Sequence, residues 1–193
     1  TAVAAVAESY FARDDYAGAT LAIDRVVGDG DTVRVGGYDC EAVHTPGHTD
    51  EHMALWHAPS GTVFSGDLLS PNGHFMYGPL TSDIGAYRAS LRRLRALDAD
   101  RIAPGHGPVV TEPRDRIDEA LALSSRAERD IEDAIEAAAG PTSAQTLARD
   151  VLNASETNVA FLTFVACAYL DYLESAGTLS VAYREDGVYA TSS

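Results

Sequence analysis

Residues 44–52 read His44-Thr45-Pro46-Gly47-His48-Thr49-Asp50-Glu51-His52, residues 64–67 read Phe64-Ser65-Gly66-Asp67, and residues 104–108 read Pro104-Gly105-His106-Gly107-Pro108. In each stretch an imidazole or a carboxylate follows a run of strand-forming residues and stands beside Gly or Pro. The strand fixes the direction of the chain, and the small residue lets the backbone turn at the sheet edge. That arrangement can aim ligands at an ion. Imidazole nitrogen together with carboxylate oxygen suits zinc, and also iron or manganese. A carboxylate between two ions can bridge them, and such a pair holds activated water at neutral pH. Taken singly, each stretch reads more readily as a turn than as a ligand. Their order and spacing point to one site.

Working outward, the periodicity predicts alternating strands and helices. Val3, Val6 and Tyr10 have helical spacing near the start of the chain. Gly28 to Asp31 reads as a turn, with hairpin strands at Thr32–Val35 and Tyr38–Val43. Met53–His57 and Thr62–Ser65 form a second pair joined by Pro59-Ser60-Gly61. The stretch Ser70–Ser82, rich in Pro, Gly and aromatics, is long enough to be a functional loop. A helix marked by Tyr87, Leu91 and Leu94 follows, with Ser82 or Asp83 placed to cap it. Arg101–Ala103 is a short strand leading into Pro104. From Pro113 to Ala139 the apolar positions Ile117, Leu121, Ile131 and Ile135 fit one long helix, with a break possible within it.

Beyond Gly140-Pro141 the rhythm changes. Thr142 with Gln145 resembles a capping box opening a helix to Leu152. A second helix spans about Glu156–Ala176, with Phe161, Phe164, Val165, Ala168 and Leu173 inward and Gly177 as its stop. Leu179–Tyr183 and Val188–Thr191 flank Asp186-Gly187 as a hairpin. Helices followed by a hairpin form the winged-helix pattern, so two domains are expected, 1–125 and 126–193.

Composition narrows the function classes. Hydrophobic residues make up 46% of 193, enough for a packed core. No run of about 18 apolar residues occurs, so no membrane-spanning helix and no membrane partner are expected. The formal charge is −15, and all 14 basic residues are Arg. An acidic, lysine-free surface suits a cytoplasm at high salt, where charges are screened over a few ångströms. A halophile's cytoplasmic protein is the expectation, and an ordinary acidic protein from a GC-rich genome is the alternative. The N-terminal stretch is apolar without a basic segment ahead of it, so it does not read as a signal peptide. Cys40 and Cys167 lie far apart in apolar segments and read as reduced structural thiols.

The three opening stretches, with the helix from Tyr87 to Leu94 between the second and third, resemble the later motifs of the metallo-β-lactamase superfamily. HTPGHTDEHMAL, FSGDLL and PGHGPV are similar to its β-lactamase-like protein 2 branch, which has a winged-helix tail and includes an endoribonuclease. The resemblance covers about residues 1–125. It implies an α/β metallo-β-lactamase-type αββα fold, present as its later half only. It further implies that His48 is a ligand of a first metal, Asp67 a bridging and catalytic carboxylate, and His106 a ligand of a second metal. Two zinc ions are implied, with iron or manganese as alternatives. His52, close behind His48, is a candidate for orienting a ligand, and His74, in the long loop, for touching substrate. His44 and His57 read as structural and surface residues respectively.

One departure matters. The family's His-x-His-x-Asp-His segment has no counterpart, since no histidine precedes His44. The resemblance therefore implies a chain short of the first sheet and its ligand loop. Three donors divided between two metals are expected to bind weakly and to catalyse nothing alone. The parent protein is expected to hydrolyse a small ester, thioester or related bond with metal-bound hydroxide. A metal-dependent endoribonuclease acting on single-stranded RNA and a non-catalytic degenerate scaffold are the alternatives. From Arg126 onward there are 11 acidic and 4 basic residues, which disfavours RNA as a partner. A homodimer formed through the tail remains open, as does a tail that shapes the mouth of the site.

Overall fold

A computed structural model of the chain describes residues 23–70 and 82–192. The expected first helix around Val3, Val6 and Tyr10, and His74, lie outside the described residues. Strand β1 (Thr32–Val35) turns through Gly36-Gly37 into β2 (Tyr38–His44). Both glycines have positive φ, 57° and 93°, which matches the tight turn whose twist suits a two-residue hairpin. β3 (Met53–His57) and β4 (Thr62–Gly66) follow, joined by a single 3₁₀ turn at Ala58–Ser60. After α1 (Ile84–Ala96) comes β5 (Arg101–Pro104). The strands form one sheet in the order β1-β2-β3-β4-β5, antiparallel except for the parallel β4–β5 pair.

That last pair matters for the site. A parallel pair needs a crossover, here through α1. It brings the ends of β4 and β5, Gly66 and Pro104, together at the same end of the sheet, where they pair after a bulge that shifts the register between Phe64 and Gly66. The residues that follow, Asp67 and His106, therefore start from neighbouring strand ends.

α1 is capped by Asp83, whose Oδ1 accepts from the Ala86 N–H at 2.6 Å. Its buried stripe of Ile84, Tyr87, Arg88, Leu91 and Leu94 has helical spacing. Tyr87, Leu91 and Leu94 pack with Val43, Ala54, Val63, Leu68, Ile102 and Ile117 into one core. α2 (Pro113–Ala137) starts with Pro at its first position, where the missing N–H costs nothing. It runs for 25 residues as one helix, so the break held open from sequence does not occur. The expected boundary at 125/126 falls inside it. Ile117 and Ala120 belong to the first core, and Ile131 and Ile135 belong to a second.

The second core is built from α2, α3 (Ala144–Asp150), α4 (Val159–Ser175) and a small sheet ordered β6-β8-β7. β6 is only Thr142–Ser143, β7 is Leu179–Arg184 and β8 is Gly187–Ser192. Thr142 serves as a strand residue paired with Ala190, so Ser143 caps α3 in its place, its Oγ accepting from the Thr146 N–H at 3.0 Å. Gly177, with φ +77°, stops α4, and the Thr178 N–H returns to the Leu173 carbonyl. The hairpin turn is Glu185-Asp186, with Gly187 already paired to Arg184, one residue earlier than the Asp-Gly signal suggested. Among the described residues no helix is long and apolar enough to cross a membrane.

Candidate metal centre

The Gly66-Asp67 turn at the end of β4 is gripped from two sides. The Gly105 N–H donates to the Gly66 carbonyl at 2.7 Å. A Cβ on Gly105 would lie 2.4 Å from Asp67 Oδ1, so the carboxylate rests in space that only glycine leaves. On the other side the Asp67 N–H donates to His52 Nε2 at 3.2 Å. A Cβ on Gly66 would meet that nitrogen at 2.6 Å. Because Nε2 accepts, Nδ1 carries the proton, and it lies 3.1 Å from the Thr45 carbonyl and 2.9 Å from Thr45 Oγ1. Burial, and then the neighbouring His48, hold the His52 imidazole below its ordinary pKa, consistent with this neutral tautomer.

The two oxygens of Asp67 face two different imidazoles. Oδ2 is 3.7 Å from His48 Nε2, and Oδ1 is 3.5 Å from His106 Nε2. Ligand atoms about 2.1 Å from a tetrahedral zinc lie about 3.4 Å from one another. Both separations are those of neighbouring donors around a shared ion. His48 is mostly covered, whereas His106 is exposed. Among the described residues no three His, Cys, Asp or Glu side chains gather around one point. The arrangement is two pairs sharing a carboxylate.

The His44–His48 segment is held along α1. Arg93 Nη1 donates to the His44 carbonyl at 3.1 Å and Ser90 Oγ to that of Pro46 at 2.7 Å. The Asp83 N–H donates to Gly47 at 3.0 Å and Ser82 Oγ to His48 at 2.9 Å. Gly47, at φ +132°, allows this approach, because a Cβ there would lie 2.3 Å from Tyr87 Cα. Arg93 also pairs with Asp29, which accepts from the His44 N–H at 2.7 Å. Arg93 and the His44 amide hold the Asp29 carboxyl below the usual carboxylate range.

Of the sequence-predicted residues, His48, Asp67, His106 and His52 converge. His44 stands apart, its Nε2–H donating to the Asp50 carbonyl at 2.7 Å. His57 sits at the end of β3, edge-on to Tyr38 at 5.4 Å. The residues sequence reasoning missed are Ser82, Ser90 and Arg93. Ser90 is buried on α1 and its acceptor lies 44 residues away, so no local signal marked it.

Residues 2–106 match the metallo-beta-lactamase superfamily model. The chain belongs to this superfamily. A beta-lactamase-like protein 2 homolog of Caenorhabditis elegans is 36% identical over 105 residues, 54% of this chain and 34% of its own length. An atrochrysone carboxyl ACP thioesterase of Paecilomyces divaricatus is 32% identical over 105 residues, 54% of this chain and 32% of its own. The chain thus spans about a third of the length of these superfamily relatives. The crystal structure of a beta-lactamase domain protein from Burkholderia ambifaria has a TM-score of 0.77 at 24% identity. It covers 100% of this chain and 61% of its own, a likeness of fold. The superfamily includes hydrolases, as the thioesterase shows.

Proposed function

We propose that Asp67, His48 and His106 are part of a dinuclear metal centre that hydrolyses a small ester or thioester. The observation that carries this reading is the pair of Asp67 oxygens, each at donor–donor distance from a different imidazole Nε2. His48 with Asp67 would hold one ion and His106 with Asp67 the other, so both ions would draw on the same carboxylate. When bound, zinc, iron or manganese would supply Lewis acidity and activate water. The chain's own contribution is placement: His52 holds the Asp67 amide, and Gly105 leaves room for its carboxylate.

Each pair offers two donors, and a catalytic zinc takes three protein donors besides water. The remaining donors would come from a layer packed on the apolar face that the described residues of the five-stranded sheet leave exposed. There Val35, Tyr38 and Phe64 are 50%, 65% and 47% exposed around an apolar groove of about 450 Å³. An apolar face of this kind favours a covering layer. The thioesterase among the relatives supports an acyl substrate. The net charge of −15 weighs against RNA. The arrangement of α2, β6, α3, α4, β7 and β8 supports reading the C-terminal part as a winged helix with a structural rather than a nucleic-acid role.

The test is zinc titration of the chain, followed through the imidazole signals of His48 and His106. Both should respond together, and Asp67→Ala should abolish the joint response. An imidazole that stays unchanged at saturating zinc, or an unaltered response in Asp67→Ala, overturns the reading. Zinc-dependent hydrolysis of an acyl thioester by a form carrying the remaining donors would extend it. Cleavage of single-stranded RNA without thioester hydrolysis would assign the centre to phosphodiesters instead.

A further inference from the structure

α1 presents two faces with different duties. Along one face Ser90 and Arg93, with Ser82 and the capping Asp83 just ahead of the helix, bind the carbonyls of Pro46, His44, His48 and Gly47. Another face enters the C-terminal core, where Ile84 packs among the side chains of α4. Arg88 stands at the junction, 7% exposed. Its Nε donates to Ser124 Oγ of α2 at 3.0 Å, and its Nη1 pairs with Glu128 of α2 at 2.5 Å. Its guanidinium lies 5.2 Å from the centre of the Tyr172 ring of α4. Tyr169 of α4 closes the set, its hydroxyl donating to the same Ser124 Oγ at 3.2 Å.

A buried guanidinium is a poor stability device, because desolvation offsets much of its pairing energy. Here Nη2 is also buried without a hydrogen-bond partner among the described residues, a further cost. Such a group makes sense where it fixes geometry. We propose that Arg88 is a positioning residue through which the C-terminal helices set α1, and with it the His48 loop, against Asp67. Its role for the metal rests on the function proposed above; the brace itself is mechanical. The C-terminal part is then a buttress for one ligand, acting on it through α1.

The experiment compares the whole chain with Arg88→Met, which keeps the bulk of the stem, and with the milder Tyr169→Phe. Amide hydrogen exchange is read at Thr45, Gly47 and Asp83, whose N–H groups bond within the loop or to it. The brace predicts a rise of about tenfold at those amides in Arg88→Met and a smaller rise in Tyr169→Phe, with the β1–β2 ladder within about twofold. A merely structural Arg88 would raise exchange in both regions alike, and that result overturns the proposal. So does unchanged exchange at Thr45 and Gly47. If Arg88→Met does not fold, Tyr169→Phe decides by the same criterion. Zinc titration supplies an independent reading: in the variants the His48 signal should respond at higher zinc while the His106 response moves less. A wild-type chain in which neither imidazole responds refutes the metal centre, and the exchange pattern still decides the brace.

Discussion

Gly47→Ala is the most informative single substitution. At φ +132° an alanine is strained by about 1 kcal/mol or more wherever it sits. Space adds to this: the new Cβ would lie 2.3 Å from Tyr87 Cα and 2.4 Å from its nitrogen, where about 3.5 Å is the closest comfortable approach. The His44–His48 segment must therefore lift from α1 by more than about 1 Å. Hydrogen bonds of 2.7, 2.9 and 3.0 Å from Ser90, Ser82 and Asp83 would then be stretched beyond bonding range. At about 1 kcal/mol each, with the strain added, the loss is about 4 kcal/mol. For a chain of this size that lowers Tm by about 8–16 °C. Gly30→Ala is the control, since Gly30 has φ +80° with nothing within 4 Å of a Cβ. It should cost only the strain, about 1 kcal/mol. Urea unfolding of the three proteins supplies the comparison. If Gly47→Ala matches Gly30→Ala, the close packing of the loop on α1 is not what holds it.

Other outcomes follow from single groups. Ser65 is fully buried and its hydroxyl has no partner among the described residues, so Ser65→Ala should stabilise by about 1 kcal/mol in urea unfolding; a loss of that size would reveal a partner. Asp29, Asp118 and Glu156 are held below the usual carboxylate range by hydrogen bonds from Arg93, Arg95 and Arg149. Depressed values mean that their contribution is complete above the unfolded pKa and is lost as pH falls through the folded one, so the urea midpoint should drop below about pH 4. Asp29→Asn should flatten that acid limb, and an unchanged limb would count against the Arg93 contact. Burial pushes the Cys167 thiol up to about 12, so native protein should react with thiol reagents only as fast as it opens; rapid labelling of Cys167 at pH 8 would contradict its packing.

The strands and helices of the five-stranded sheet were legible because their signals are local. The Pro59-Ser60-Gly61 turn marked off Met53–His57 and Thr62–Ser65, and a cap at Ser82 or Asp83 followed by a helical stripe marked α1. Motif order singled out His48, Asp67 and His106, and the structure places both imidazoles within 3.7 Å of the Asp67 carboxylate. The tail was less so. Thr142 had the chemistry of a cap, but pairing with Ala190 drew it into a strand and passed the cap to Ser143. The hold of α1 on the His44–His48 carbonyls was not legible, because Ser90 and Arg93 lie 44 and 49 residues from their acceptors. Nor was the need for glycine at position 105, where the neighbour that fills the space is Asp67, just past the end of another strand.

The unbroken α2 has a consequence for anyone rearranging this chain. Ala120 and Ile131 lie on one helix yet serve different cores, so a cut between residues 125 and 126 would leave each piece with half a helix and a raw apolar stripe. The tail is therefore no cassette to be exchanged among related proteins. It should melt in one transition with the sheet, and a graft of either part would have to carry the whole of α2.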